Sequence, residues 1–148
     1  MSVVVDASVF VAASRSIEEN HRPSLALLTR LRQCNEVVIC PVTALAECAG
    51  AVARVTGDTA LAWALVELIE RTPGIRMIPI DLTVARAAAQ MAASHRLRGA
   101  DAVYAAVADE FGATLITWDR EMLQRVKPAV ATSTPSEWLA DPAHTPPT

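Results

Sequence analysis

The chain has 148 residues, is 52% hydrophobic and carries a formal charge of −3, which suits one domain with a large core. That charge argues against a general nucleic-acid coat protein, and an aromatic content of 4% argues against a broad base-stacking platform. Every apolar stretch is broken by Arg, Glu or Thr before the roughly 18 residues of a membrane span, and the start, running straight into VVVD without a basic segment, reads as a mature cytoplasmic N-terminus.

In chain order, residues 2–6 form a short apolar, β-branched run ending in Asp6, the pattern of a buried parallel strand. A short helix is expected from Ser8 to Ser14, and Pro23 and Ser24 open a second with Leu25, Leu28 and Leu31 on one face. Val37 to Cys40 is the second strand. Pro41 is then expected to start a helix carrying Leu45, Cys48, Val52 and Val55 at helical spacing, stopped by Gly57. Asp58 or Thr59 caps the next helix, residues 59–71, which is apolar nearly all round and so offers one side as a partner surface. A third strand (Ile75 to Ile80), an Ala-rich helix (Thr83 to His95), a helix over 100–111 and a fourth strand (Ala113 to Thr117) follow. Asp119 caps a short helix over Glu121 to Gln124, and a fifth short strand is expected at Ala129 to Thr132. The alternation predicts a three-layer α/β/α sandwich around a mostly parallel sheet of four to five strands. Residues 1–140 make one domain and the Pro-rich 141–148 a flexible tail.

Asp6, Glu47, Asp101 and Asp119 each fall where a strand hands over to a helix, along the edge where open α/β sheets bind ligands. From Asp101 a helix leads away for about 17 Å, and the following strand returns about the same distance, which brings Asp119 back level with Asp101. Singly, Asp101 and Asp119 read equally well as helix-start acids, and Glu47, opposite the Leu45–Cys48–Val52 stripe, as an exposed surface charge. Together they predict an acidic pocket. Two carboxylates about 4 Å apart repel by roughly 4 kcal/mol at an effective dielectric of 20, so such a pocket calls for a hard divalent cation. Cys34, Cys40 and Cys48 lack CxxC spacing and read as reduced core residues. His21, His95 and His144 are isolated and offer no zinc ligand set. The basic residues are twelve Arg and one Lys, so a nucleic-acid grip must be local; Arg15, Arg96, Arg98 and Arg120 lie nearest the expected edge.

Four segments then resemble, in order and spacing, the PIN-domain ribonucleases, and in particular the VapC-type toxins of toxin–antitoxin pairs. They are VVVDASVF around Asp6, VTALAECAGAV around Glu47, LRGADAVYAAVA around Asp101 and ATLITWDREM around Asp119, spanning residues 2–139. The resemblance implies a Mg²⁺- or Mn²⁺-dependent endoribonuclease, with Asp6 and Asp101 as direct metal ligands and Glu47 and Asp119 completing the catalytic quartet. It also implies Ser8 and Thr117 as hydroxyls that orient the acids, an RNA substrate, an antitoxin partner and a homodimer. Trp118 stands where the family usually has Asn. A housekeeping PIN nuclease of RNA maturation and a non-catalytic binding module are the alternatives, the latter disfavoured because all four acids are present.

Overall fold

Three consecutive valines after Ser2 make a strand that is comfortable only when covered on both faces. In the computed structural model, which describes residues 1–147, they form β1 (Ser2–Val5), with Val4 and Val5 fully buried. Two helices follow, α1 (Ala7–Ser14) and α2 (His21–Gln33), then β2 (Val37–Pro41), α3 (Thr43–Thr56) and α4 (Thr59–Arg71). The chain continues through β3 (Ile75–Ile78), α5 (Leu82–His95), α6 (Gly99–Glu110), β4 (Thr114–Ile116) and α7 (Arg120–Val126). It ends with β5 (Thr132–Ser133), α8 (Pro135–Ala140) and a single 3-10 turn at Pro142–His144.

The sheet has five strands in the order β3-β2-β1-β4-β5, every pair parallel. Helices α1, α2, α3 and α4 pack on one another, while α5 pairs with α6 and α6 lies across β1, β2 and β4. The fold is the expected α/β/α sandwich, with a sheet that is parallel throughout. The chain runs outward from β1 to β2 and β3, then returns to β1's other side for β4 and β5. That reversal opens a crevice at the carboxyl ends of β1 and β4, where open α/β sheets place their ligands.

Most expected elements hold within a residue or two, and the departures have local causes. Pro41 does not start a helix but ends β2, paired in register with Ile78. Pairing of β2 with β1 stops at Ile39, so the missing N–H of Pro41 costs no ladder bond on that side. The fifth strand sits three residues later than expected, because the N–H groups of Ala129 and Val130 turn back to the Val126 carbonyl and close α7. Helix α7 itself runs longer than the expected 121–124. Helix α8 was not anticipated. Its signal was present: Thr134 accepts from the Glu137 N–H at 3.1 Å, Glu137 accepts from the Thr134 N–H at 2.8 Å, and Pro135 stands at the first helical position. Trp138 seats α8 against α2, and the His144 ring stacks on Trp138 at 3.9 Å between centroids. Thr148, last residue of the expected 141–148 tail, lies outside the described residues. Among the described residues no helix is long and apolar enough to cross a membrane. The three cysteines are free, with Cys40 and Cys48 buried.

Candidate functional site

The ladder between β1 and β4 sets the floor of the site. Val5 pairs with Ile116, and the Asp6 N–H continues the pairing onto the Ile116 carbonyl at 3.0 Å. Asp6 and Thr117 therefore emerge side by side. Asp6 caps α1 and is only 6% exposed. Its Oδ2 accepts from Ser8 Oγ at 2.6 Å, from Thr117 Oγ1 at 2.8 Å and from the Ser8 N–H at 3.4 Å. All three donors take the same oxygen, which leaves Oδ1 without a hydrogen bond among the described residues. Burial raises the Asp6 pKa, and the Ser8 and Thr117 hydrogen bonds oppose the rise.

Ser8 and Thr117 thus hold Asp6, and Thr117 also ties the next acid. Thr117 Oγ1 accepts from the Asp119 N–H at 3.0 Å, and Asp119 caps α7 by accepting from the Met122 N–H at 3.0 Å. Asp101 stands in the first turn of α6, and α3 presents Glu47. Asp6, Glu47, Asp101 and Asp119 all line one open cleft of about 540 Å³, joined by Ser8, Trp118 and, from the α1–α2 connection, Glu18, Glu19 and Asn20.

The electrostatics show the crowding. Burial, then the charge of Asp6, raise the Glu47 pKa to about 7. The Tyr104 hydroxyl faces Glu47 and offsets part of this rise, yet Glu47 Oε1 is buried with no hydrogen-bond partner. Glu47 is therefore not the exposed surface charge its helical position suggested. Burial, then Asp119 and Asp6, raise the Asp101 pKa to about 6, with Arg98 opposing. As placed, the acids face one cleft without closing on a point: among the described residues no three of Asp, Glu, His or Cys are gathered to hold an ion.

One support, Tyr104, escaped sequence reasoning, and a second, Trp118, had its role left open. Tyr104 is fully buried one turn beyond Asp101, and its hydroxyl accepts from the Ala7 N–H at 3.2 Å, tying α6 to the start of α1. The Asp101–Tyr104 spacing, three apart on one helix face, was the available signal. Trp118 donates its Nε1–H to the fully buried Ser24 Oγ at 2.8 Å and its backbone N–H to Ser8 Oγ at 3.2 Å. The indole pins the cleft wall to α2 while one side lines the cleft.

The four arginines nominated from the sequence do not line this cleft. Arg15 pairs with Glu18 at 2.6 Å, and Arg98 approaches Glu121 at 4.0 Å. Arg96 ends α5 in the left-handed region with φ 55°, its carbonyl accepting from Arg125. Arg120 opens α7 with its side chain exposed. The cleft's basic side chain is Arg54 of α3.

The family model described as PIN domain matches residues 3–127. The chain belongs to the PIN-domain family. None of the curated proteins matches it. Among solved structures, it is similar to VapC20 of Mycobacterium tuberculosis, a sarcin-ricin loop cleaving toxin, at 19% identity and TM-score 0.72, covering 82% of this chain and 93% of that one. It is similar to FitAcB from Neisseria gonorrhoeae at 24% identity and TM-score 0.69, covering 92% and 99%. It is also similar to VapBC2 from Rickettsia felis, solved with a DNA fragment from its promoter, at 15% identity and TM-score 0.67, covering 90% and 98%. At these identities the likeness speaks for the PIN fold. The acidic cleft lies at the edge where β1 and β4 of this PIN domain end.

Proposed function

We propose that this PIN domain is a metal-dependent endoribonuclease and the toxin of a toxin–antitoxin pair. One observation carries the reading: carboxylates from four separate elements face one cleft, and Glu47 Oε1 is left buried without a hydrogen-bond partner. A buried orphan oxygen is unfavourable by about 1–3 kcal/mol unless something satisfies it. The set is all oxygen, and hard cations such as Mg²⁺ or Mn²⁺ take such donors.

Asp6 and Asp101 are the direct ligands in this reading, and Glu47 and Asp119 complete the set directly or through water. A bound cation would supply a water of lowered pKa and offset the charge of a phosphodiester under attack. The chain's own residues do the rest. Ser8 and Thr117 fix the Asp6 carboxylate by loading Oδ2, Tyr104 bridges Glu47's surroundings to the start of α1, and Trp118 braces the wall against α2. Arg15, Arg96, Arg98 and Arg120 remain proposals for a longer RNA path outside the cleft.

The antitoxin partner is supported by a second, apolar groove between α2 and α4, about 160 Å³, lined by Phe10, Leu25, Leu28, Leu65, Leu68 and Ile69. An amphipathic segment suits it. Trp63, 59% exposed, and Leu61 extend apolar surface along α4 and support a homodimer. VapC20 of Mycobacterium tuberculosis is a toxin by name, and VapBC2 from Rickettsia felis was solved bound to a DNA fragment from its promoter; both add to the reading.

The test is cleavage of a structured RNA pool with Mg²⁺ or Mn²⁺ by the native chain, Asp6→Asn and Asp101→Asn. Cutting that stops in EDTA and in both variants supports the reading; equal cutting by all three chains, or cutting in excess EDTA, overturns it. Host toxicity relieved by a neighbouring gene separates the toxin from a housekeeping nuclease.

A further inference from the structure

We propose that Arg54 is a substrate-positioning residue that grips the phosphate next to the one being cut, seated for this by Gly50. The inference rests on the ribonuclease reading above.

The cleft is lined by Asp6, Glu18, Glu19, Glu47, Asp101 and Asp119, all repelling a polyanion, and by Arg54 as its basic side chain. Of the other arginines near the edge, Arg15 is paired with Glu18 and Arg125 with Glu121, Arg98 approaches Glu121 at 4.0 Å, and Arg96 and Arg120 lie outside the cleft. Arg54 has no ion pair and no hydrogen bond among the described residues. An exposed arginine usually extends into solvent; this one folds back. Its Nη1 lies 3.2 Å from where a Cβ on Gly50 would stand, so the guanidinium rests in the space that the glycine leaves on α3.

Spacing aims it. Glu47, Gly50 and Arg54 are three and then four residues apart, so they share one face of α3. Side chains on a helix lean toward its N-terminus, here toward Glu47 and the cleft. Arg54 starts about 10 Å along the helix from Glu47 and reaches back over Gly50. A guanidinium presents a planar fork that matches phosphate oxygens bidentately. Lining the same cleft as the acids and paired with none of them, it suits a phosphate flanking the reacting one. Against such a cleft, a strand held by the reacting phosphate alone would swing freely; a second grip fixes its direction.

The experiment uses a fluorescein-labelled single-stranded RNA of mixed sequence with Mg²⁺. Binding is measured between 50 and 200 mM salt (about the range over which phosphate contacts show) for Asp6→Asn and for Asp6→Asn combined with Arg54→Ala. Losing Arg54 is expected to weaken binding about tenfold and to flatten the salt slope by about 0.7, one phosphate contact to a single strand. Arg54→Lys should keep the slope and lose part of the affinity. In the otherwise native chain, Arg54→Ala should raise KM about tenfold and leave kcat within about twofold, the signature of lost uniform binding. Unchanged slope and affinity would overturn the assignment, and so would a gain in affinity on losing Arg54. If the native chain cuts no RNA, the nuclease reading fails, while a lost slope still supports the phosphate contact. If cutting is metal-dependent and Asp6-dependent but indifferent to Arg54, the phosphate contact alone fails.

Discussion

The acidic cleft and the apolar groove lie on opposite sides of one eight-residue helix. Ser8, Val11 and Ala12 of α1 line the cleft, and Phe10, Ala13 and Ser14 line the groove. The cleft gathers carboxylates of which Asp6, Glu47 and Asp101 have raised pKa values, first through burial and, for Glu47 and Asp101, then through neighbouring acids. The groove and its rim leave apolar surface in water, with Leu68 at 62% exposed. In the proposed reading a bound cation would relieve the first and a docked apolar segment the second. The difference lies in reach. The cleft draws on residues from 6 to 119, while the groove is lined by α1, α2, α4 and the starts of β2 and β3, all within residues 10–75. If the two are separate devices, each should be breakable with the other left intact.

The largest effect is expected at Asp6. Asp6→Asn should lower RNA cleavage on the order of 10³-fold, the scale of losing a key electrostatic group in an active site. It should not unfold the protein, because Asn fits the same space and removes a charge that burial disfavours. A variant that cuts RNA at the native rate, shown folded by circular dichroism, would end the cleft's claim to be the active site. Next comes the groove. Leu68→Glu should weaken binding of the cognate partner roughly thirtyfold or more, the cost of about 2 kcal/mol at an anchor position. Its cleavage rate should stay native. Titration of a purified neighbour-encoded partner, alongside the cleavage assay, would expose any coupling through α1.

Smaller is the effect of the hydroxyls that set the acids. Thr117→Val removes the donor to Asp6 and the acceptor for the Asp119 N–H. Loss of such an outer support typically lowers activity 10–100-fold, so about that loss in cleavage is expected, with a stability cost of about 1–3 kcal/mol in urea unfolding. Native activity in this variant would mean that Asp6 is held by Ser8 alone.

Smaller again is a dependence on pH. Glu47 at about 7 and Asp101 at about 6 both sit above their unfolded values. The folded chain then holds more protons than the unfolded one between about pH 4 and 7, so stability declines as pH rises through that window. In EDTA the melting temperature should fall by a few degrees from pH 5 to pH 8. Mn²⁺ should restore more of it at pH 8 than at pH 5, because ligands must be deprotonated to bind. The groove variant should show the same profile as the native chain; a flat profile in both would mean that neither burial nor neighbouring charge raises Glu47 and Asp101.

Much of this was legible in the chain. Asp6 follows Val3, Val4 and Val5, and an acid at the end of so apolar a strand is conspicuous. The return geometry from Asp101 to Asp119 needed only the lengths of one helix and one strand. Taken alone Glu47 reads as exposed, because its place on the α3 face shows only when Asp6 and Tyr104 are in position; only the set of four acids points it to the cleft. Pro41 was taken for a helix start because the absence of a second ladder partner beyond Ile39 is a property of the sheet. Helix α8 has six residues, too few for periodicity, and only its capping box betrays it. The arginines were the hardest. Arg15 and Arg98 are answered by nearby acids, and Arg54 looks like any surface arginine until the glycine beneath it is considered.

The smallest expected effect tests that last point. Gly50→Ala places a methyl group where the Arg54 guanidinium rests, so Nη1 must move by a few tenths of an ångström. Glycine inside a helix is less stable than alanine by about 0.5–1 kcal/mol, so the variant should melt higher. If Arg54 grips RNA from that seat, affinity for single-stranded RNA should nonetheless drop, about twofold, with the salt slope kept because the charge remains. A substitution that strengthens the helix and weakens the complex separates the two roles that a glycine can play. Stability can rise only through the backbone, and affinity can fall only through the displaced side chain. Should the variant bind as well as the native chain while Arg54→Ala does not, the grip stands and the seat is incidental. Equal binding by both would leave the cleft to the acids alone.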